Sequence, residues 1–190
     1  THWTIQSGGT VKLSAGRMPL PPIVIEAIPD QAPTIRWNEP PTASSSGTSL
    51  SYHMSDDYGV QSGEARLAKP QGENRYWGSK APLIPPPHIA LALPADLHDG
   101  NGKTLIEPSE SPWVGIKLEL TLLAKDDAGQ EASTPPIEVT LPQRLFTNTL
   151  ARALVEQRRV LALNPNARPL VSEALYALMI APDLFIPEAG

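Results

Sequence analysis

The chain has 190 residues, a formal net charge of −5 and a pI near 5.3. That balance excludes a basic nucleic-acid or anionic-membrane binder, which needs a positive stripe, and 41% hydrophobic residues exclude wholesale disorder. The 22 prolines, about twice the usual ~5% usage, exclude a long-helix bundle over most of the length and favour short strands with proline-punctuated turns.

There are no cysteines, which removes disulfides, thiolate nucleophiles and sulfur-ligated zinc. No run of apolar residues reaches the roughly 18 that a bilayer span needs. The chain starts at Thr1 with neither an initiator Met nor a signal peptide, and is expected to be a piece of a longer protein.

Three regions follow one another. Residues 1–30 hold two extended stretches, Trp3 to Leu13 with a turn at Ser7-Gly8-Gly9, and Ile23 to Ile28, separated by Pro19, Pro21 and Pro22. They are expected to be the end of a preceding β region, with Ile23 to Ile28 as its last strand or as an added edge strand. Residues 31–142 are strand-like, and residues 143–190 switch to helical spacing.

The clearest pattern lies in the middle region. Leu50, Tyr52 and Met54 alternate before Asp56-Asp57-Tyr58-Gly59, and Leu120, Leu122 and Ala124 alternate before Asp126-Asp127-Ala128-Gly129. Alternation marks a half-buried strand; Asp-Asp-x-Gly marks a turn in which aspartate accepts local hydrogen bonds and glycine supplies positive φ. Two full sandwiches would need roughly 90–100 residues each, so the region is read as one. Strands are predicted at Thr34 to Trp37, Leu50 to Ser55, Val60 to Ala68, His88 to Leu93, Trp113 to Ala124 and Ile137 to Leu141, with a short one near Arg75 to Trp77. The fold class is mainly β, an Ig-like or fibronectin-like sandwich.

The tail follows a helical pattern. Leu150, Leu154 and Leu161 recur at helical intervals, with Glu156 and the basic Arg152, Arg158 and Arg159 around them, the three arginines expected to be exposed. Asn164-Pro165-Asn166 ends this helix. Arg168-Pro169 opens a second, with Leu170, Ala174, Leu175 and Leu178 on one face and Pro182 at its end. The apolar stripe of this hairpin needs cover: the sandwich, a second copy or further sequence.

The motifs that carry chemistry are few. The loops bearing Asp56, Asp57, Asp126 and Asp127 share one end of an Ig-like sandwich, and carboxylates from two loops suit calcium. Turn chemistry accounts for both aspartates and glycines without an ion and is the reading adopted. Asp96-Leu97-His98-Asp99-Gly100-Asn101-Gly102 fails as a calcium loop, since Lys103 falls on a ligand position, and reads as a surface turn. His2, His53, His88 and His98 are scattered, and Ser44-Ser45-Ser46-Gly47 reads as a flexible loop. No nucleophile elbow, phosphate loop or dinucleotide motif occurs. No catalytic, cofactor-binding or metal-ligating residue is assigned, and no cofactor is expected. Trp77, in Asn74-Arg75-Tyr76-Trp77-Gly78, is a core residue or, with Tyr58, a stacking surface for sugar. Ala81 to Pro87 reads as a stiff polyproline connector or a ligand for another domain.

Several stretches together resemble an uncharacterised proteobacterial cell-envelope family. They are Pro29-Asp30-x-x-Pro33-Thr34-Ile35, Ser55 to Val60, Ala124 to Gln130, Leu141-Pro142-x-Arg144-x-Phe146 and Ala151 to Arg159. The resemblance covers about residues 23 to 185. It implies a membrane-anchored protein with a periplasmic β-rich part, and it carries no catalytic residues over. The resulting expectation is a non-catalytic Ig-like interaction or spacer module on the periplasmic side of the inner membrane. Its partners would be envelope proteins, with no nucleic acid, membrane contact only through a segment outside this chain, and self-association through the helical tail. The alternative is a ligand-binding module for glycan or calcium.

Overall fold

The computed structural model describes residues 7–44, 46–72, 76–78 and 80–180. The chain forms two compact units, Thr1–Gln31 and Ala32–Gly190. In the first, β1 (Gly9–Val11) pairs antiparallel with β4 (Ile23–Ile25), and β2 (Ser14–Ala15) pairs with β3 (Met18–Pro19) across a turn where Gly16 takes φ 64°. Among the described residues the two predicted extended stretches form strands at Gly9–Val11 and Ile23–Ile25, and a tight hairpin fills the gap between them. Trp3 lies outside the described residues. Val11, Leu13, Met18, Leu20, Ile23, Val24 and Ile28 are all exposed.

The second unit is mainly β, an Ig-like sandwich followed by a helical hairpin. One sheet has the order β5 (Thr34–Ser44), β6 (Gly47–Ser55), β9 (Asp99–Ile106). In the other, β10 (Lys117–Lys125) lies between β7 (Ser62–Ala68) and the last strand, with the two-residue β8 (Ile89–Ala90) outside β7. The last strand is split: β11 (Glu131–Ser133) pairs with one half of β10 and β12 (Ile137–Thr140) with the other. Pro135 and Pro136 cause the split, since neither has an N–H for the ladder. Thr134 keeps the register there: its N–H donates to Leu122 O at 2.9 Å, and its hydroxyl accepts from Leu122 N–H at 3.0 Å.

The alternating residues face each other across the sandwich. Leu50, Tyr52 and Met54 from β6 and Leu118, Leu120, Leu122 and Ala124 from β10 are buried. Each large apolar side chain contributes about 1.5–3 kcal/mol by leaving water.

Two predicted elements are corrected. The 96–102 stretch is not only a surface turn, because its second half belongs to β9, which pairs with β6 from Ser55↔Asp99 to Thr48↔Ile106. Its glycines serve close approach rather than chain reversal: a Cβ at Gly102 would lie 2.2 Å from Tyr52 Cε2, and one at Gly100 2.5 Å from Asp96 O. The His88 to Leu93 strand shrinks to β8 because the segment crosses from one sheet to the other. Leu91 N–H bonds Gly63 O at 2.9 Å, and Ala92 N–H then bonds the Thr104 hydroxyl of β9, also at 2.9 Å.

Smaller differences follow local chemistry. Trp113 to Ile116 turn into the core before β10 begins. The short strand near Arg75 to Trp77 does not form at Tyr76 and Trp77, and Arg75 lies outside the described residues. β5 runs on past Trp37, with register shifts through Pro40-Pro41. A groove of about 560 Å³, lined by Trp37, Pro40, Pro41, Ile137 and Val139 among others, separates this margin from β12.

Helix α1 (Thr149–Leu163) starts after Asn148, whose side chain accepts from Ala151 N–H at 2.9 Å. Asn164 ends it, a 3₁₀ turn over Pro165–Ala167 follows, and α2 (Arg168–Ile180) opens with Pro169 in its first turn. Pro182 lies outside the described residues.

Candidate functional site

At the acidic end, Asp56 and Asp57 join β6 to β7, and Asp126 and Asp127 join β10 to β11. Gln61 links the two turns: its N–H donates to Lys125 O at 2.8 Å and its side-chain amide to Asp127 Oδ1 at 2.8 Å. Asp56 accepts from Tyr58 N–H at 3.2 Å, and Asp126 from Gln130 N–H at 2.8 Å. Gly59 and Gly129 close the turns at φ 102° and 88°. The first aspartate of each pair is buried, with one carboxylate oxygen held by the turn and the other, Asp56 Oδ1 or Asp126 Oδ2, without a hydrogen-bond partner among the described residues. Among the described residues no group of three or more His, Cys, Asp or Glu comes together to hold a metal ion.

The other predicted side chains are dispersed. Trp77 is 7% exposed and packs at 4.9 Å on Trp113, whose indole N–H donates to Ile84 O at 2.9 Å. Its ring faces are therefore spent on the core, whereas Tyr58 is exposed. His53 lies on the opposite face of β6 from Tyr52 and Met54, with Nε2 2.8 Å from Asp99 and Nδ1 3.2 Å from Asn101. His88 faces Glu64 at 3.7 Å. His2 and Ser45 lie outside the described residues. The proline connector is tied to the hairpin by Leu83 N–H, which donates to Ala162 O at 2.7 Å.

The helical hairpin is where the structure departs most from the sequence reading. Arg159, expected to be exposed, is 5% exposed. Its guanidinium pairs with Glu156 and donates to Val114 O at 3.0 Å and Gln143 Oε1 at 2.6 Å, and it lies 5.9 Å from the Tyr76 ring centroid. Arg158 donates to Glu110 O, while Arg152 is exposed. The face of α1 turned to the sandwich is thus Arg159, Ala162 and Leu163, not Leu150, Leu154 and Leu161. In α2, Val171 is buried and Ala174 and Leu178 are half-buried, while Leu170 and Leu175, both expected on the covered face, are exposed.

Between the 143–147 connector and the first turns of α1 lies a groove of about 840 Å³. Arg144, Leu145, Phe146, Arg152 and Glu156 are among the residues that line it. No spacing in the sequence marked it, because its two walls come from a connector and a helix end. The last two stretches that carry the family resemblance meet there.

The comparison with known families decides one point. The chain belongs to the family described as Domain of unknown function (DUF4175). The match spans residues 1–190. No curated protein and no solved structure matches the chain.

Proposed function

We propose that this DUF4175 chain is a non-catalytic interaction module from the periplasmic part of a membrane-anchored envelope protein, and that it meets a protein partner through its helical hairpin. The observation that carries this reading is the outer face of α2. Tyr176, Met179 and Ile180, spaced i, i+3, i+4, are 66–77% exposed there, on a helix whose opposite side is held by Val171. Single exposed apolar residues are ordinary, but a contiguous run on one helix marks a surface that meets another protein.

The non-catalytic part of the reading is supported by the dispersal of the polar side chains: His53 is held by Asp99 and Asn101, and Asp56 and Asp126 each hold a turn through one carboxylate oxygen. The envelope setting is supported by the resemblance described above. No helix among the described residues is long and apolar enough to cross a membrane, so on this reading the tether is a segment outside this chain.

The test places a photo-crosslinking amino acid at Met179 of the full-length protein in its native cells, with Lys80 as the control position. The expected result is a discrete protein adduct from 179 that disappears with Tyr176→Asp. Adducts no stronger than at Lys80 would overturn the hairpin reading, and resistance of the domain to protease added to spheroplasts would overturn the periplasmic one.

A further inference from the structure

The groove beside α1 carries a charge pattern that the rest of the chain does not share. Its lining carries three arginines, Arg144, Arg152 and Arg159, against one glutamate, Glu156, in a chain whose formal net charge is −5. The charges are unequally matched. Arg159 is used internally, by Glu156 and two oxygen acceptors. Arg144 pairs with Glu110 at 2.7 Å, but both side chains are largely exposed, and such pairs are weak and exchangeable. Arg152 has no side-chain partner among the described residues. Beside these charges stand Leu145, 92% exposed, and half-buried Phe146.

We propose that this groove binds an acidic segment of a partner protein. A carboxylate of that segment meets Arg152, a second replaces Glu110 on Arg144, and an apolar side chain between them covers Leu145 and Phe146. Guanidinium groups hold carboxylates through two parallel hydrogen bonds, so the two arginines set the register of the segment as well as attracting it. A protein segment is favoured over an anionic bilayer because the site is a groove of about 840 Å³ rather than a flat face. The proposal names the chemistry of the partner expected under the interaction reading, and it uses a different surface from the outer face of α2.

The experiment measures fluorescence anisotropy of a labelled peptide alternating glutamate with leucine and phenylalanine, titrated with the intact chain. Saturable binding is expected, weakened roughly tenfold by Arg152→Gln, further by adding Arg144→Gln, and reduced by salt. Arg36→Gln makes the same charge change on exposed β5 and is expected to leave binding unchanged. Equal loss with Arg36→Gln, equal binding of the glutamine analogue, or no saturable binding would each overturn the proposal. So would binding to phosphatidylglycerol vesicles, lost with Arg152→Gln, without binding to the peptide. Peptide binding retained by Tyr176→Asp separates the two surfaces: failure of the crosslink at 179 with intact peptide binding removes the α2 reading alone, and the converse removes the groove alone.

Discussion

Tyr52 carries a hydroxyl into the middle of an otherwise apolar layer. The ring is fully buried, and the hydroxyl donates to Ala92 O at 2.7 Å and lies 2.6 Å from Thr104 Oγ1. Burial is the main cause that pushes its pKa above the usual value, only partly offset by those two hydrogen bonds. The unfolded phenol ionises near pH ~10, so the stability tied to the neutral form is complete below that pH. It is lost as the pH rises from there through the higher folded pKa. Tyr52→Phe should cost about 1 kcal/mol at pH 8, and the difference from the native chain should shrink by pH 11, as read from urea midpoints. A constant difference would mean that the hydroxyl does not couple to the pH. At this scale much was legible. The Asp-Asp-x-Gly turns could be read because their chemistry is local: an aspartate accepts from an N–H two or four residues on, and a glycine takes positive φ two residues after the pair. Arg159 was not legible, because its partners Val114 and Gln143 lie 45 and 16 residues away.

Elements were legible where one face is apolar. β6 and β10 alternate cleanly and form with the expected face buried, β10 starting at Lys117 rather than Trp113. β9 does not, since Asp99-Gly100-Asn101-Gly102 has the composition of a turn, and only the close approach of Asp96 O at Gly100 and of Tyr52 at Gly102 gives its glycines a place in a strand. Gly102→Ala should therefore destabilise the sandwich by about 1–3 kcal/mol through overpacking, with the loss visible in the thermal melt. A melt unchanged within error would show that Tyr52 yields to the added methyl at no cost. The helices were legible as helices, with the break at Asn164, but the most buried residues, Arg159, Ala162 and Leu163 on α1 and Val171 on α2, lie outside the predicted stripes, of which Ala174 and Leu178 are half-buried. Leucine count points to one stripe on α1. The docked face is set instead by the small Ala162, by Leu163 and by a buried guanidinium, which the hydrophobic period does not register.

For the whole molecule, Arg159 is the polar centre of the join between the hairpin and the sandwich, beside buried Leu163. Gly115, at φ 77°, makes room for it, since a Cβ there would lie 2.3 Å from Gln143 Oε1 and 3.2 Å from Arg159 Nη2. Arg159→Met leaves Val114 O and Gln143 without their donor, and should cost about 2 kcal/mol. Hydrogen exchange should report the loss as faster exchange in α1, with β6 and β10 still protected. Equal loss in all three would show that the hairpin and sandwich open as one unit. The candidate surfaces were less legible than the fold, because the connector wall of the groove gave no period or motif spacing to read. The two sheet margins beside the other groove have a consequence at high local density. β5 is interrupted by Pro40-Pro41, and β12 is bounded by Pro135-Pro136 and Pro142, so neither ladder extends readily into a neighbour. Crowded side by side, copies of this domain would meet through side chains rather than through added ladders at these two margins.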